Sequence, residues 1–375
     1  MFWSWMRHGL AAGVISGVGC WASAADALSL RLIGSYEIPT GTMFEGAEFG
    51  GISAIDLGPD GVFYALSDDR GGEGRTPRFY MLDLDYDGGG FHDVKIAGVR
   101  HMRDLGGEHF PSEKRSVDPE GLRFAPSGNL YWSSEGNFSD AADEFVQPFL
   151  REMTPEGAYV RDLAVPGLFN YFDNATAGAR SNKVFEALAV EESGAIWIVN
   201  EDAIFEDGPA ASLEAGSLVR FTRFDAETGR ADGQFVYALP AIPLDAKEGA
   251  PFAPDNGVAE LLTLPNGGLL ALERAFAWGR GNTIRLVSTG ILNSATDVTG
   301  QQSLVDLELT MMPRELVLEM GPEFEGVTLD NMEAMSWGPD LPNGNRSLVL
   351  VSDNNFNDSQ RTLFMAFEVT GLAED

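Results

Sequence analysis

The chain has 375 residues, with 57 acidic against 25 basic side chains, a net charge of −32, one cysteine and four histidines. Charge of that sign repels nucleic acid and anionic membranes, and one cysteine leaves no disulfide framework. With 44% hydrophobic residues and neither a charge tail nor a low-complexity linker, the chain reads as one domain over residues 25–375.

The first 24 residues read as a secretory signal: Arg7, an apolar run from Leu10 to Trp21, then Ala22-Ser23-Ala24 as a small-residue cleavage site. That run is short for a bilayer span, so the expectation is a periplasmic or secreted protein without a membrane span. A lipoprotein acylated at Cys20 ranks lower, because Gly17 stands where a bulky aliphatic residue is expected. Cleavage after Ala24 removes the only cysteine.

Beyond the signal, apolar hairpins recur. Glu120 and Glu135 bracket one, Glu186 and Glu201 another, each pair 15 residues apart, as are Ser53 and Asp68 and also Val258 and Glu273. Glu333 and Asp353 stretch the spacing to 20. Successive copies start 67, 66, 72 and 75 residues apart. Alternation such as Leu130/Trp132, Ile196/Ile198 and Leu348/Leu350 marks them as β. Repeated all-β units at long period predict a β-propeller with five visible repeats, of five or six blades. Arg31–Ile38 and Thr362–Val369 are strand-like and are expected to pair and close the ring. Trp132, Trp197, Trp278 and Trp337 are expected to pack between blades. The loops 136–147 and 202–216 leave from the bracket ends and could wall a pocket.

A hairpin returns to its starting level, so radial hairpins gather their bracket acids on one face. The candidate metal ligands are Asp68, Glu120, Glu135, Glu186, Glu201, Glu273, Glu333 and Asp353, with Asp69, Asp118 and Asp202 beside them. Two like charges ~4 Å apart repel by about 4 kcal/mol at an effective dielectric near 20. Either some protonate or cations enter. Many carboxylates, with scarcely any histidine, favour Ca²⁺ over zinc or copper. Arg70, Lys183 and Arg274 stand beside these acids, suiting an anionic small molecule such as a phosphate ester; Arg180 is a further basic neighbour. The competing reading is backbone capping and salt bridging. No Gly-x-Ser-x-Gly elbow, Gly-x-x-x-x-Gly-Lys loop or dinucleotide fingerprint occurs.

The phrases Asp118-Pro119-Glu120-Gly121-Leu122, Trp132-Ser133-Ser134-Glu135-Gly136, Asn182-Lys183-Val184-Phe185-Glu186, Leu272-Glu273-Arg274-Ala275-Phe276, Asp330-Asn331-Met332-Glu333-Ala334-Met335 and Ser352-Asp353-Asn354-Asn355-Phe356 resemble the phytase-like family described as "esterase-like activity of phytase". The resemblance runs from about Ser53 to Phe367. It implies an exported bacterial β-propeller, similar in character to calcium-dependent phytases that hold phosphate over an acidic mouth. Ala334 stands where the family phrase often has glycine.

The functional expectation is a calcium-dependent hydrolase of phosphoric esters, with Arg70, Lys183 and Arg274 holding the anion. Two alternatives stay open: a non-catalytic, calcium-stabilised propeller that binds a ligand or partner, and a metal-dependent lactonase or carboxylic esterase. Oligomeric state is not legible in the sequence.

Overall fold

The computed structural model describes residues 27–72, 74–172, 176–290 and 294–372. The expected signal segment lies outside them. Five four-stranded antiparallel sheets form the blades of a propeller, and the count is five, not six. Blade 1 comprises Ile52–Leu57, Phe63–Ser67, Arg78–Asp87 and Gly90–His101. Blade 2 comprises Pro119–Phe124, Leu130–Ser134, Phe149–Met153 and Tyr159–Asp162. Blade 3 is Phe185–Val190, Ile196–Asn200, Ser217–Asp225 and Arg230–Leu239. Blade 4 is Asp255–Thr263, Leu269–Ala277, Gly281–Ser288 and Glu315–Met320.

Blade 5 takes Asn331–Trp337, Ser347–Asp353 and Thr362–Thr370 from one end of the chain and Ser29–Ile38 from the other. The terminal strands pair antiparallel from Ser29↔Thr370 to Ile38↔Thr362, so the expected ring closure is present. The N-terminal strand forms the outer edge of blade 5 and completes its four-stranded sheet.

The core is divided among the gaps between blades. Leu66 and Phe79 of blade 1 pack against Leu122, Trp132 and Met153 of blade 2, and Val199 and Tyr237 of blade 3 pack against Leu261 and Ala271 of blade 4. Trp132 and Trp197 are buried there, and Trp337 packs partly buried against the cluster joining blades 4 and 5. Trp278 departs from expectation: it follows the second strand of blade 4 in a turn and is 38% exposed.

One ion pair ties the inner strands together. Arg123 of blade 2 donates to Ile55 O of blade 1 at 2.9 Å, Leu261 O of blade 4 at 2.9 Å and Met335 O of blade 5 at 2.9 Å. Its guanidinium meets Glu260 of blade 4 at 2.7 Å, and Glu260 accepts Leu188 N–H of blade 3 at 3.1 Å. Both side chains are buried. All five blades therefore converge on one guanidinium–carboxylate pair at the axis, which floors the space above it.

Candidate metal centre

The first strand of every blade is irregular at the same place. Against its partner, the ladder skips at Ser53 in blade 1, at Glu120-Gly121 in blade 2, at Glu186 in blade 3, at Ala259 in blade 4 and at Glu333 in blade 5. Such a β-bulge inserts an unpaired residue and re-aims its side chain. Three of the five bulges carry a glutamate and the other two a small residue. Gly121 fits its bulge because a Cβ there would come within 2.7 Å of Leu188 Cβ and Ser133 Oγ.

The second strands supply the matching position. Asp68, Glu135 and Glu201 each donate their N–H across the open end, to Gly51, Asp118 and Val184. The register equivalents in blades 4 and 5 are Arg274, opposite Gly257, and Asp353, opposite Asn331. The mouth thus has four acids and one arginine at equivalent places.

This register corrects the expectation for Glu273. The repeat in blade 4 is Ala259 and Arg274, also 15 residues apart, and not Val258 and Glu273. A slip of one residue moves a strand side chain to the opposite face. Glu273 accordingly leaves the mouth and lies between blades, bonded to Tyr237, to Arg314 at 2.8 Å and near Arg285 at 3.8 Å.

The other candidates converge. Ligand atoms of Asp118, Glu120 and Glu135 lie within 4.8 Å of one another, as do those of Glu135, Glu186 and Glu201. Glu135 belongs to both trios. Its Oε1 accepts the Val184 N–H, while its Oε2 is buried without a hydrogen-bond partner. Glu333, Asp353 and Asp68 extend the cluster: burial raises Asp353 well above its ordinary value, and the Asp68 and Glu333 carboxylates push it further. Gly257 has no Cβ because one would collide with Glu201, whose side chain crosses beneath it.

Three cations meet this cluster. Arg70 Nε lies 2.6 Å from Asp118. Lys183 bridges Glu201 at 2.9 Å and Asp255 at 2.6 Å. Arg274 reaches Glu201 at 2.9 Å and Glu333 at 3.4 Å. Lys183 and Arg274 hold the Asp255 carboxyl below its ordinary value although burial works against ionisation. Asp118 and Asp255 are the mouth acids that bracket spacing alone did not select. Asp118 was visible only as a neighbour of Glu120, and Asp255 carries no spacing signal.

Asp69 and Asp202 turn away. Asp69 is bound by Arg78 at 2.5 Å; Asp202 accepts N–H groups of Ala203 at 2.7 Å and Ala211 at 3.0 Å, shaping the loop after blade 3's second strand. Arg180 likewise serves that loop, donating to Ala203 O and Gly208 O.

Nine carboxylates (Asp68, Asp118, Glu120, Glu135, Glu186, Glu201, Asp255, Glu333 and Asp353) therefore face three cations. Burial, followed by like charge, pushes Glu135 up to about 8. Burial lifts Asp68 and Asp118 to about 7, with Arg70 partly opposing the rise. Glu120 and Glu186 rise well above ordinary values through burial and neighbouring carboxylates. Buried acids crowded in this way are hard oxygen donors with charge to spare, and an orphaned buried carboxylate oxygen points among them. The donor set fits a divalent cation of the calcium type. No histidine or cysteine belongs to either trio.

Beside the mouth, a cavity of about 410 Å³ is lined by Asp68, Arg70, Arg75, Lys114, Arg115 and Phe356, among others. Its four basic side chains are matched there by four acidic ones, Asp68, Asp69, Glu113 and Glu144.

Fold and site together define a five-bladed β-propeller with a carboxylate-lined mouth. The chain belongs to the phytase-like family, described as "esterase-like activity of phytase", whose family model matches residues 47–356. A search of curated proteins gives no match. Among solved structures, the calcium-binding protein regucalcin from Agrobacterium tumefaciens is similar at 12% identity and a TM-score of 0.36, covering 87% of this chain and 81% of that one. The PQQ-bound aldose sugar dehydrogenase from Streptomyces coelicolor gives 12% identity and a TM-score of 0.35, covering 91% of this chain and 98% of that one. Likeness at this level carries no inference about activity.

Proposed function

We propose that the chain is an exported, calcium-dependent hydrolase that acts on phosphoric esters at the propeller mouth. The observation that carries this reading is the pair of carboxylate trios sharing Glu135, edged by Arg70, Lys183 and Arg274. Asp118, Glu120, Glu135, Glu186 and Glu201 would hold the cation, with Asp68, Glu333 and Asp353 as the remaining candidates. Bound calcium would supply Lewis acidity toward a phosphoryl oxygen and toward water.

The protein's own groups do the rest. Arg274 occupies the place where the other blades carry acids, so it puts positive charge at the rim for the substrate's developing negative charge. Arg70 and Lys183 are engaged by Asp118, Glu201 and Asp255. Where Asp118 and Glu201 hold a cation, Arg70 and Lys183 would be freer to turn toward an anion. The Arg123–Glu260 pair closes the axis beneath, leaving the substrate one face of entry. Export rests on the Leu10–Trp21 run and Ala22-Ser23-Ala24, and the mature chain would be one propeller domain from residue 25.

The test is a substrate panel of phosphate ester, lactone and carboxylic ester, each with EDTA and with added calcium. Phosphate-ester turnover that disappears in EDTA and returns with calcium is the expected result. Turnover of lactone or acyl ester alone would move the same site to that chemistry. A calcium-dependent rise in melting temperature with no turnover of any member would make the mouth a binding site only.

A further inference from the structure

The mouth face carries an aromatic lip on blade 4. In a strand, residues two apart share a face, so Phe276 stands beside Arg274, one step farther toward the rim. Its register partner is Asp255, the carboxylate held by Lys183. Phe252, from the loop leading into blade 4, lies against Phe276 with ring centroids 6.1 Å apart and planes tilted by 32°. Trp278 follows two residues after Phe276, and its carbonyl accepts the Lys247 N–H at 3.0 Å, which anchors that loop to the turn. Phe252 is 55% exposed and Trp278 38%. Large aromatics left open beside a charged site mark a contact surface.

We propose that Phe252, Phe276 and Trp278 seat an apolar, ring-bearing part of the substrate, while its anionic or ester group lies at Arg274 and the carboxylate mouth. The inference rests on the hydrolase reading and narrows it: the substrate class is an ester of an aryl or similarly apolar group, not a polyol phosphate. The mouth and the lip differ in kind, with charged side chains at Arg274 and the carboxylates and aromatic rings beyond them. A substrate with one charged and one apolar end spans them in a single orientation.

Calorimetric titration of the calcium-loaded full chain tests this with two matched pairs of probes, benzylphosphonate against methylphosphonate and phenylacetate against acetate. Covering a phenyl ring on the lip predicts about tenfold tighter binding of the aryl member. Phe252→Ala with Trp278→Ala is expected to remove most of that preference while the calcium-induced rise in melting temperature stays. Equal affinity within each pair in the unaltered protein overturns the proposal, as does an aryl preference that survives the double substitution. If neither phosphonate binds but phenylacetate still exceeds acetate, the phosphoryl part of the proposed function falls and the lip stands. If none of the four binds, both fall.

Discussion

Replacing Glu186 by glutamine separates a ligand carboxylate from a structural one by the sign of its effect. Glu186 sits in a first-strand bulge with Glu135 and Glu201 oxygens within 4.8 Å. At an effective dielectric near 20, one ionised pair at that distance costs about 3.5 kcal/mol. Two such pairs are partly relieved by Arg274 and by protons, since burial and the neighbouring acids raise Glu186 well above its ordinary value. The net relief from Glu186→Gln at pH 8 in EDTA is then on the order of 1–3 kcal/mol, a rise of a few degrees in melting temperature for a chain of this size. In calcium the order reverses. The native protein gains about 2.7 kcal/mol at a hundredfold excess over Kd, and the variant forfeits most of it with its ligand. Differential scanning calorimetry in EDTA and in calcium reads both numbers. Equal destabilisation of Glu186→Gln in the two buffers would show a capping carboxylate and refute the reasoning.

Glu273→Gln is the contrasting control: it breaks the buried contacts to Tyr237 and Arg314, lowering stability by about 1–3 kcal/mol in EDTA and calcium alike. Arg123→Met leaves Glu260 buried without its partner and should cost about 3–5 kcal/mol in chemical denaturation, part of it recovered when Glu260→Gln is added. Acids whose folded pKa is raised stabilise the fold when protonated, an effect fully present below their unfolded values and lost as pH rises through the folded ones. In EDTA, stability should therefore decline between pH about 4 and 8, through Asp68 and Asp118 near 7 and Glu135 near 8, and calcium should flatten that decline. A flat melting temperature across that range in EDTA would count against the crowded mouth. Deleting Ser29–Ile38 should abolish the single cooperative transition, because blade 5 loses its outer strand.

The propeller with its five repeats and the gathering of acids were legible because hairpin spacing is a property of the chain, whereas the choice between five and six blades waited on the pairing of the terminal strands. The slip at Glu273 shows where that legibility ended. Val258/Glu273 and Ala259/Arg274 have the same spacing, and only the bulge at Ala259 decides which pair faces the mouth. A bulge is a fact about two strands, and sequence reports one at a time. Preference for an acid at the closing bracket favoured the wrong member of an adjacent pair. Arg123 and Glu260 were silent for a related reason: each is a charge flanked by apolar residues, and their meaning appears only once five strands converge. Trp278 was misplaced because the turn begins immediately after Ala277, which puts the indole beyond the last gap between blades.

The seam between Ser29–Ile38 and Thr362–Thr370 also sets the order of events in biosynthesis. The nascent polypeptide cannot latch its circle until position 370 has emerged, so Ser29–Ile38 waits for its neighbour while the intervening blades are made. Until that seam forms, the circle stays open and threadable.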